Sequence, residues 1–210
     1  MHIRLEDLEQ MEQRKRAHLI NSLGGFKSLV MLGTQNVQGQ TNLAVFSSFF
    51  HLGANPALCG LIVRPDNGER HSLNNIMATE LYTINHVHQA IYQQAHQTSA
   101  SYPALQSEFA ATGLTEQWLG NFFAPFVQES RVKMAVQLAQ RVDLDINGTI
   151  LLIGKILEIH VPDNIISRDG FIDLEAAGSL TLSGLDSYHR TQKLARLSYA
   201  KPDMPLKILG

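Results

Sequence analysis

Short apolar runs, each followed by a polar turn, dominate the pattern of hydrophobic and polar positions along the chain. Runs of this length, rich in Val, Ile, Leu and Phe and bounded by Gly, Asn or Pro, predict strands. We expect strands at 27–34, 42–48, 58–63, 81–85, 132–144 and 149–161. Many strands, hairpin connections and only short helices favour a mainly β (α+β) fold, an antiparallel barrel of Greek-key type, over a doubly wound sheet.

Two of the connections are predicted to be hairpins. The polar loop QNVQGQ, with Gln38-Gly39 near its tip, joins the first two strands, and Asn147-Gly148 joins the two long ones. Asn-Gly between such strands predicts a type I′ turn. Gly154, inside the second long strand, predicts a bend or bulge. That strand is apolar on both faces for much of its length, so we expect both faces to be covered.

Helices are predicted in three places. Residues 5–23 form one or two short helices, and Ser72 is a favourable N-cap for a helix that runs to about Glu80. A helical excursion follows at about 89–128, inside what we expect to be one domain spanning residues 1–210. The N-terminal helices have six candidate buried positions: Leu5, Leu8, Met11, Leu19, Ile20 and Leu23.

Composition and charge exclude several classes of protein. The 210 residues are 44% hydrophobic and suffice for one substantial core. A formal net charge of −2 gives no support for nucleic-acid binding. The single cysteine, Cys59, excludes an intrachain disulfide and is expected to be buried, since it lies in an apolar run. The N-terminus has no secretory signal and no apolar run approaches the roughly 20 residues that cross a bilayer. We therefore expect a cytoplasmic protein without a membrane partner.

Common catalytic and metal-binding motifs are absent from the sequence. There is no GxGxxG, no GxxxxGK, no GxSxG and no HExxH. His86 and His88 lie on one side of a strand end and could begin a metal site, with His96 as a possible third ligand. No Cys, Asp or Glu lies near the pair in the sequence to complete the site, so we expect no metal.

The segment NLAVFSSFF, residues 42–50, and the segment after the third strand offer a candidate ligand site. The first is an apolar strand that leads into two adjacent hydroxyls. In the second, Pro65-Asp66-Asn67-Gly68 predicts a turn that separates Arg64 from Arg70. Two guanidinium groups beside the positive end of a helix suit a flat aromatic ligand that carries a phosphate. The alternative is an exposed turn with two solvated arginines.

The order of these elements resembles the flavin reductase-like, FMN-binding split-barrel family. The strand Leu81-Tyr82-Thr83-Ile84-Asn85 and the late segment GLDSYHR extend the resemblance, which covers about residues 21–202. The family often carries Pro-Pro where this chain has Asn55-Pro56-Ala57, which affects a loop more than the ligand groups. The resemblance implies an FMN-binding split β-barrel and a homodimer with the flavin near the subunit interface.

The resemblance also implies which residues lie near the flavin. Backbone groups of residues 42–46 would meet the ring edge, the two serines would reach the ring or ribityl chain, and a late aromatic segment would lie near the open face. The arginines and the start of the following helix would hold the phosphate. The implied site residues are Asn42, Ala44, Phe46, Ser47, Ser48, Arg64, Arg70, His71, Ser72, Asn75, Asn85, Tyr188 and His189.

The function that the resemblance implies is an FMN-dependent oxidoreductase. A hydride would pass from NAD(P)H, a transient reductant, to the flavin, and electrons would pass to an acceptor. Because that step needs no dedicated acid or base, no catalytic side chain is assigned. One alternative is a flavin-binding or carrier protein without turnover, and another is an enzyme like pyridoxamine-phosphate oxidase, which shares the barrel.

Overall fold

A seven-stranded antiparallel sheet forms the body of the protein in the computed structural model, which describes residues 1–65, 70–103 and 105–209. The strands are β1 Lys27–Ser28, β2 Val30–Gln35, β3 Thr41–Phe46, β4 Phe49–Ala54, β5 Ala57–Val63, β6 Leu81–His86, β7 Glu116–Gln117, β8 Phe126–Val127, β9 Lys133–Leu144, β10 Thr149–His160, β11 Thr181–Ser183, β12 Ser187–His189, β13 Arg196–Leu197 and β14 Ile208–Leu209. In the large sheet the order is β3-β2-β6-β9-β10-β5-β4. A second sheet has the order β1-β11-β12, and β7-β8 and β13-β14 form two small pairs. The predicted mainly antiparallel β fold is confirmed.

Five short helices and one 3₁₀ turn accompany the strands. They are α1 Leu5–Gln10, α2 Gln13–Leu23, α3 His71–Thr79, α4 Tyr92–Gln97, α5 Glu108–Thr112 and the 3₁₀ turn Asp163–Ile165. The predicted N-terminal helices and the helical excursion are thus present. No helix in the described part of the chain is long and apolar enough to span a membrane.

The main core lies where the large sheet folds around α3. Val30, Leu61, Ile76, Tyr82 and Leu152 are almost fully buried there. These side chains come from β2, β5, α3, β6 and β10, so the core joins both halves of the sheet. A second core packs α4 and α5 against the opposite side of β2 and β3. Cys59 is buried at 2% exposure, as expected.

The first hairpin is as predicted, whereas the second has a different turn. In the loop between β2 and β3, Gly39 has φ of 88° and Asn36 Oδ1 accepts two backbone N–H groups. Between β9 and β10, Gly148 has φ of 70°, but Glu80 is the only non-glycine residue with positive φ in the described ranges. The type I′ prediction at Asn147-Gly148 is therefore wrong. A four-residue connection closes the hairpin instead, with Gly148 N donating to Leu144 O at 2.8 Å.

The predicted bulge at Gly154 is confirmed, and side chains from two other strands crowd this position. The register of β10 against β9 shifts between Ile153 and Gly154. A Cβ at residue 154 would overlap the Tyr82 hydroxyl and Val136 Cγ1. Only glycine therefore fits at this position of β10 without moving the side chains of Tyr82 on β6 and Val136 on β9.

Two predictions of burial are wrong within the single chain. Neither α1 nor α2 has a buried residue, and Leu5 and Leu23 are 65% and 74% exposed. The far end of β10 is also uncovered, because Leu157 and Ile159 are exposed, whereas Leu151 and Ile153 on its second face are half-buried. Apolar residues at helical or strand spacing predict which side chains share a face. The described part of the chain has no segment that buries these residues.

The strand β4 was missed by the sequence pattern. Its first residue, Phe49, directly follows Ser47 and Ser48. The peptide bond Asn55–Pro56 in the turn to β5 is cis. The strand lies at the outer edge of the large sheet, so its pattern lacks the alternation of a half-buried strand.

Candidate functional site

A cavity of about 970 Å³ lies between β3, the start of α3, the excursion and the β11–β12 turn. This volume is at the upper end of the range of about 300–1,000 Å³ that is usual for small-molecule sites. Residues from all parts of the fold line it: Asn21, Lys27, Leu29, Asn42, 44–48, 62–64, 70–73, His96, 98–103, Glu108, Leu182, Leu185 and Tyr188.

The edge strand β3 forms one wall of this cavity. It has a strand neighbour only in β2, so its outer side presents backbone groups to other partners. One of these groups, the Leu43 N–H, donates to Glu108 Oε2 at 2.9 Å. The side chain of Asn42 donates to Ser72 Oγ at 2.8 Å, which ties β3 to the first turn of α3. At the far end, Ser48 Oγ donates to the Ile62 carbonyl at 2.6 Å.

One end of the cavity is cationic. We call Arg64, Arg70, His71 and the first turn of α3 the cationic end. The helix begins at His71 with Arg70 as N-cap residue, and no side chain among the described residues caps it. The prediction of Ser72 as N-cap is therefore wrong, because Ser72 lies inside the first turn, where its hydroxyl accepts from Asn42.

Arg70 has a buried donor without a partner. Its Nη2 donates to the Pro65 carbonyl at 3.4 Å, but its buried Nε has no hydrogen-bond partner within the described residues. A buried unpaired donor costs free energy, so such an atom in a cavity wall points to a ligand that would satisfy it. The predicted turn at residues 65–68 lies largely outside the described residues.

A buried carboxyl group lies beside this end. Glu108 is 7% exposed, and burial raises the pKa of its carboxyl above its usual value. The hydrogen bond from Leu43 N–H and the nearby His71 oppose that shift. Glu108 therefore helps to hold the excursion against β3 while it lines the cavity.

An aromatic wall closes the side of the cavity formed by the excursion. We use this name for His96 and Tyr188, backed by Tyr92. The Tyr188 hydroxyl and His96 Nδ1 are 2.6 Å apart, and the rings of Tyr188 and Tyr92 lie 5.4 Å apart. Burial raises the pKa of Tyr188 to about 12, with a smaller contribution from Asp186, so its hydroxyl stays protonated at neutral pH.

Ten of the thirteen residues predicted for the site line this cavity. They are Asn42, Ala44, Phe46, Ser47, Ser48, Arg64, Arg70, His71, Ser72 and Tyr188.

The structure places Asn75, Asn85 and His189 elsewhere. Asn75 is buried on the inner side of α3 and donates to Thr34 Oγ1 at 3.0 Å. Asn85 accepts from Val127 N–H at 2.9 Å and so fixes the excursion to the sheet. His189 pairs with Ser183 Oγ at 2.8 Å and its ring packs on Phe26. Each of these side chains already has a hydrogen-bond partner within the fold. The position of a residue on a strand or helix does not show such a partner in the sequence.

Other lining residues could not be found from the sequence. Lys27, Glu108 and the loop 98–103 come from segments that carry no motif. Asn21 and Leu185 join them because α2 lies against the β11–β12 turn, where a Cβ at Gly184 would meet Ser22 Oγ at 3.3 Å. Contacts between residues this distant in the chain leave no local pattern.

The histidine pair at the end of β6 has other partners. His86 Nδ1 lies 3.2 Å from Ser179 Oγ, and His88 Nε2 lies 2.8 Å from the Glu129 carbonyl. Burial lowers the pKa of His86 to about 4. No group of three or more potential metal ligands occurs in the part of the chain that the structure describes.

Comparison with known proteins identifies the family. The sequence matches the model of the flavin reductase like domain over residues 23–173. That match covers more than half of the 210 residues, so the chain belongs to the flavin reductase-like family. Membership indicates a flavin-related oxidoreductase, with a flavin as cofactor or substrate.

Solved structures confirm the split-barrel fold. A candidate flavin reductase with a split barrel domain from Shewanella frigidimarina NCIMB 400 is 56% identical, with a TM-score of 0.93, over 95% of this chain and 100% of that chain. Nitrilotriacetate monooxygenase component B from Bacillus cereus is 21% identical, with a TM-score of 0.81, over 94% of this chain and 98% of that chain. Flavoredoxin of Desulfovibrio vulgaris (Miyazaki F) is 17% identical, with a TM-score of 0.70, over 85% of this chain and 92% of that chain. The last two likenesses concern the fold alone.

Proposed function

We propose that the protein is an FMN-dependent oxidoreductase that takes hydride from NADH or NADPH and passes electrons to an acceptor. The observation that carries the proposal is a single cavity that joins a strand edge, a cationic helix start and an aromatic wall. When bound, FMN would supply the redox chemistry, and the protein would supply binding, orientation and electrostatics.

The cationic end fits the phosphate of FMN. A phosphate oxygen would satisfy the unpaired Nε of Arg70. The first-turn amides of α3, a nine-residue helix, would add donors and the favourable end of the helix dipole. Arg64 and His71 line the same end. Charge-assisted bonds of this kind are roughly twice as strong as neutral ones.

The strand edge fits the flavin ring and its ribityl chain. Ala44 and Phe46 offer apolar surface along β3, and the outer backbone groups of this strand would meet the polar edge of the ring. Ser47 and Ser48 would reach the ring or the ribityl hydroxyls. Ser48 already donates to the Ile62 carbonyl, so its oxygen would act as an acceptor toward the ligand.

The aromatic wall would face the visiting nicotinamide. Tyr188 lines the cavity beside His96, which holds its hydroxyl. Hydride transfer requires two rings with reacting atoms about 3–3.5 Å apart, so the wall would act by positioning. A cavity of about 970 Å³ has room for both rings.

We also propose a homodimer with the flavin near the interface. Phe50, Leu52, Leu157 and Ile159 are exposed on β4 and β10. Ile62 connects the outer face that carries Phe50 to the site: it lies on β5, two residues from Gly60, the strand partner of Phe50, and it also lines the cavity. Covering this face would remove apolar surface from water, worth about 25 cal/mol per Å², and would add a wall beside the flavin.

The proposal is tested by the visible spectrum of the protein saturated with FMN, recorded without oxygen before and after NADH or NADPH is added. We expect the oxidised flavin absorbance to disappear within seconds, because the nicotinamide can reach the ring. Bound flavin that stays oxidised with both nucleotides would contradict the proposal and would identify a flavin carrier.

A further inference from the structure

A second, smaller cavity lies at the end of the sheet β1-β11-β12 and has no role in the site described above. We call it the second pocket. Its volume is about 550 Å³, within the range of about 300–1,000 Å³ that is usual for small-molecule sites. The residues that line it include His88, Arg131, Glu175, Gly178 and Arg190.

The loop that begins at Asp173 forms one wall of the second pocket and is held by its own hydrogen bonds. Asp173 Oδ1 accepts the backbone N–H groups of Glu175 and Ala176 at 3.1 and 3.0 Å. Gly178 N donates to the Glu175 carbonyl at 2.8 Å. The wall is therefore in place before a ligand arrives, which lowers the cost of binding.

Arg131 packs against this loop beside His88. Its Nη1 donates to the Ala177 carbonyl at 3.4 Å. A Cβ at Gly178 would lie 3.7 Å from the same Nη1 and 3.8 Å from His88 Cβ. Both side chains therefore meet at Gly178.

Arg190 approaches the pocket from the other direction. The register of β12 on β11 places it beside Leu180, whose N–H donates to the Val87 carbonyl at 2.9 Å. Neighbouring strands lie about 4.7–4.9 Å apart, so two spacings, about 10 Å, separate the backbone of Arg190 from that of Val87. Val87 directly precedes His88, so guanidinium groups from two directions line one pocket.

The second pocket offers free donors and one free carboxylate. Neither arginine belongs to an ion pair in the described part of the chain, and Arg190 has no hydrogen bond there. His88 adds no free donor, because its ring nitrogens bond to the Glu129 carbonyl and the Ala90 N–H. Glu175 is the one acidic side chain among the described lining residues. Its carboxylate has no partner there.

This set of groups suits a phosphorylated sugar. Guanidinium groups bind phosphate oxygens through charge-assisted hydrogen bonds, and two of them outweigh the single carboxylate. An ionised carboxylate only accepts hydrogen bonds, so Glu175 would bind a sugar hydroxyl and not the phosphate.

The second pocket begins next to the aromatic wall of the flavin cavity. Tyr188 lines the cavity and Arg190 lines the second pocket, two residues further along the same segment. Leu182 and Leu180 have the same relation on the neighbouring segment. Two residues of a strand span about 6.8 Å. A nucleotide whose nicotinamide lies at the aromatic wall would therefore have the second pocket within reach of its sugar and phosphate groups.

We propose that the second pocket binds the ribose phosphate part of the nicotinamide nucleotide, with Arg131 and Arg190 on the phosphate and Glu175 on a ribose hydroxyl. The inference rests on the proposed function, because it assigns a site to the part of the reductant that the flavin cavity does not hold. The phosphate is either the pyrophosphate, which NADH and NADPH share, or the 2′-phosphate, which only NADPH carries.

Binding and reduction measured on the same variants test the second pocket. Arg190→Met removes the charge and keeps an apolar stem, whereas Arg190→Lys keeps the charge. Arg168→Met, at an exposed position outside both cavities, is the matched control. Titration calorimetry gives the dissociation constants of NADP⁺ and NAD⁺ with FMN-loaded protein, and of FMN with flavin-free protein. Anaerobic stopped-flow gives the limiting rate of flavin reduction at saturating nucleotide.

We expect Arg190→Met to weaken NADP⁺ about tenfold or more, and Arg190→Lys to weaken it less. FMN affinity and the limiting rate should stay unchanged, because Arg190 would hold the nucleotide away from the reacting rings. A loss for NADP⁺ alone assigns the pocket to the 2′-phosphate, and an equal loss for NAD⁺ assigns it to the pyrophosphate.

Unchanged affinity for both nucleotides in Arg190→Met, or a loss that Arg168→Met shares, would overturn the second pocket. A parallel loss of FMN affinity would overturn it too, because it would show that Arg190 supports the fold. In these cases reduction of the flavin in the original protein would leave the proposed function standing. Flavin that neither NADH nor NADPH reduces in the original protein would overturn both.

Discussion

Tyr188 and His96, 92 residues apart in the sequence, meet in a hydrogen bond of 2.6 Å between the phenol oxygen and Nδ1. The two rings also contact edge to face, with centroids 5.7 Å apart. This bond joins β12 to α4, so it fixes the two members of the aromatic wall relative to one another.

The first prediction concerns that wall. Shortening Tyr188 to Ala should leave FMN affinity nearly unchanged, because the proposed phosphate contacts come from Arg64, Arg70 and the first turn of α3. It should lower the rate of flavin reduction by NAD(P)H, by up to about 100-fold, since small errors in ring position are costly. Anaerobic stopped-flow on FMN-saturated protein measures the rate, with Tyr199→Ala, an 88% exposed position, as control. An unchanged rate per bound flavin would remove Tyr188 from the site.

The second prediction concerns the apolar face of β4 and β10. Ile159→Asp should convert a dimer to a monomer and weaken FMN binding, because the exposed half-site would lose a wall. Val37→Asp, at the tip of the first hairpin and 64% exposed, is the matched control. Light scattering with simultaneous absorbance measures mass and bound flavin together. A monomeric original protein that keeps FMN on dilution would contradict the dimer.

The third prediction concerns packing at Gly154. Gly154→Ala should lower the free energy of unfolding by about 1–3 kcal/mol, because the added methyl group overlaps the Tyr82 hydroxyl and Val136. At Gly53 an added Cβ meets only the Pro56 carbonyl, at 3.5 Å, so Gly53→Ala should cost much less. Urea denaturation of both variants gives the comparison, and equal costs would show that the bulge tolerates a side chain.

The fourth prediction concerns the pH dependence of stability. The folded protein raises the pKa of Glu108 above its usual 4.5, mainly through burial. The stabilisation that comes from this raised pKa is therefore fully present below pH 4.5. It is lost as the pH rises through the pKa of Glu108 in the folded protein. Glu108→Gln keeps an oxygen that accepts the Leu43 N–H but cannot ionise.

The free energy of unfolding of Glu108→Gln, relative to the original protein, should therefore rise between pH 4.5 and neutral pH. Urea denaturation of flavin-free protein at a series of pH values measures this difference. Glu6→Gln, on exposed α1, is the control. If the difference in the free energy of unfolding does not change with pH, the pKa of Glu108 is not raised on folding. The hydrogen bond from Leu43 N–H and the charge of His71 would then offset the effect of burial.

Much of the fold could be predicted because each strand of the large sheet except β4 carries its own apolar run. The loop at Gly39 and the bulge at Gly154 also have local signals, since each needs the conformation or the small size of glycine. The faces of α2 and β10 were misjudged because periodicity shows which residues share a face and not what covers it.

The candidate site was predictable where its residues are adjacent in sequence. Ser47 with Ser48, and Arg70 with His71, lie together along the chain and also line one cavity. Asn85 fits the same resemblance, yet its side chain holds the Val127 N–H. Lys27 lay beyond prediction, because its place in the cavity depends on the turn at Gly184, 157 residues away.

The most direct measurement for the central claim, that this cavity binds FMN with its phosphate at the cationic end, is a pair of titrations with FMN and riboflavin. The original protein should prefer FMN. Arg64→Ala and Arg70→Ala should each weaken FMN far more than riboflavin, because losing one charge-assisted bond costs about 1.5–3 kcal/mol. Both variants are needed, since either arginine could partly replace the other. Equal losses for the two ligands in both variants, or no preference in the original protein, would contradict the claim.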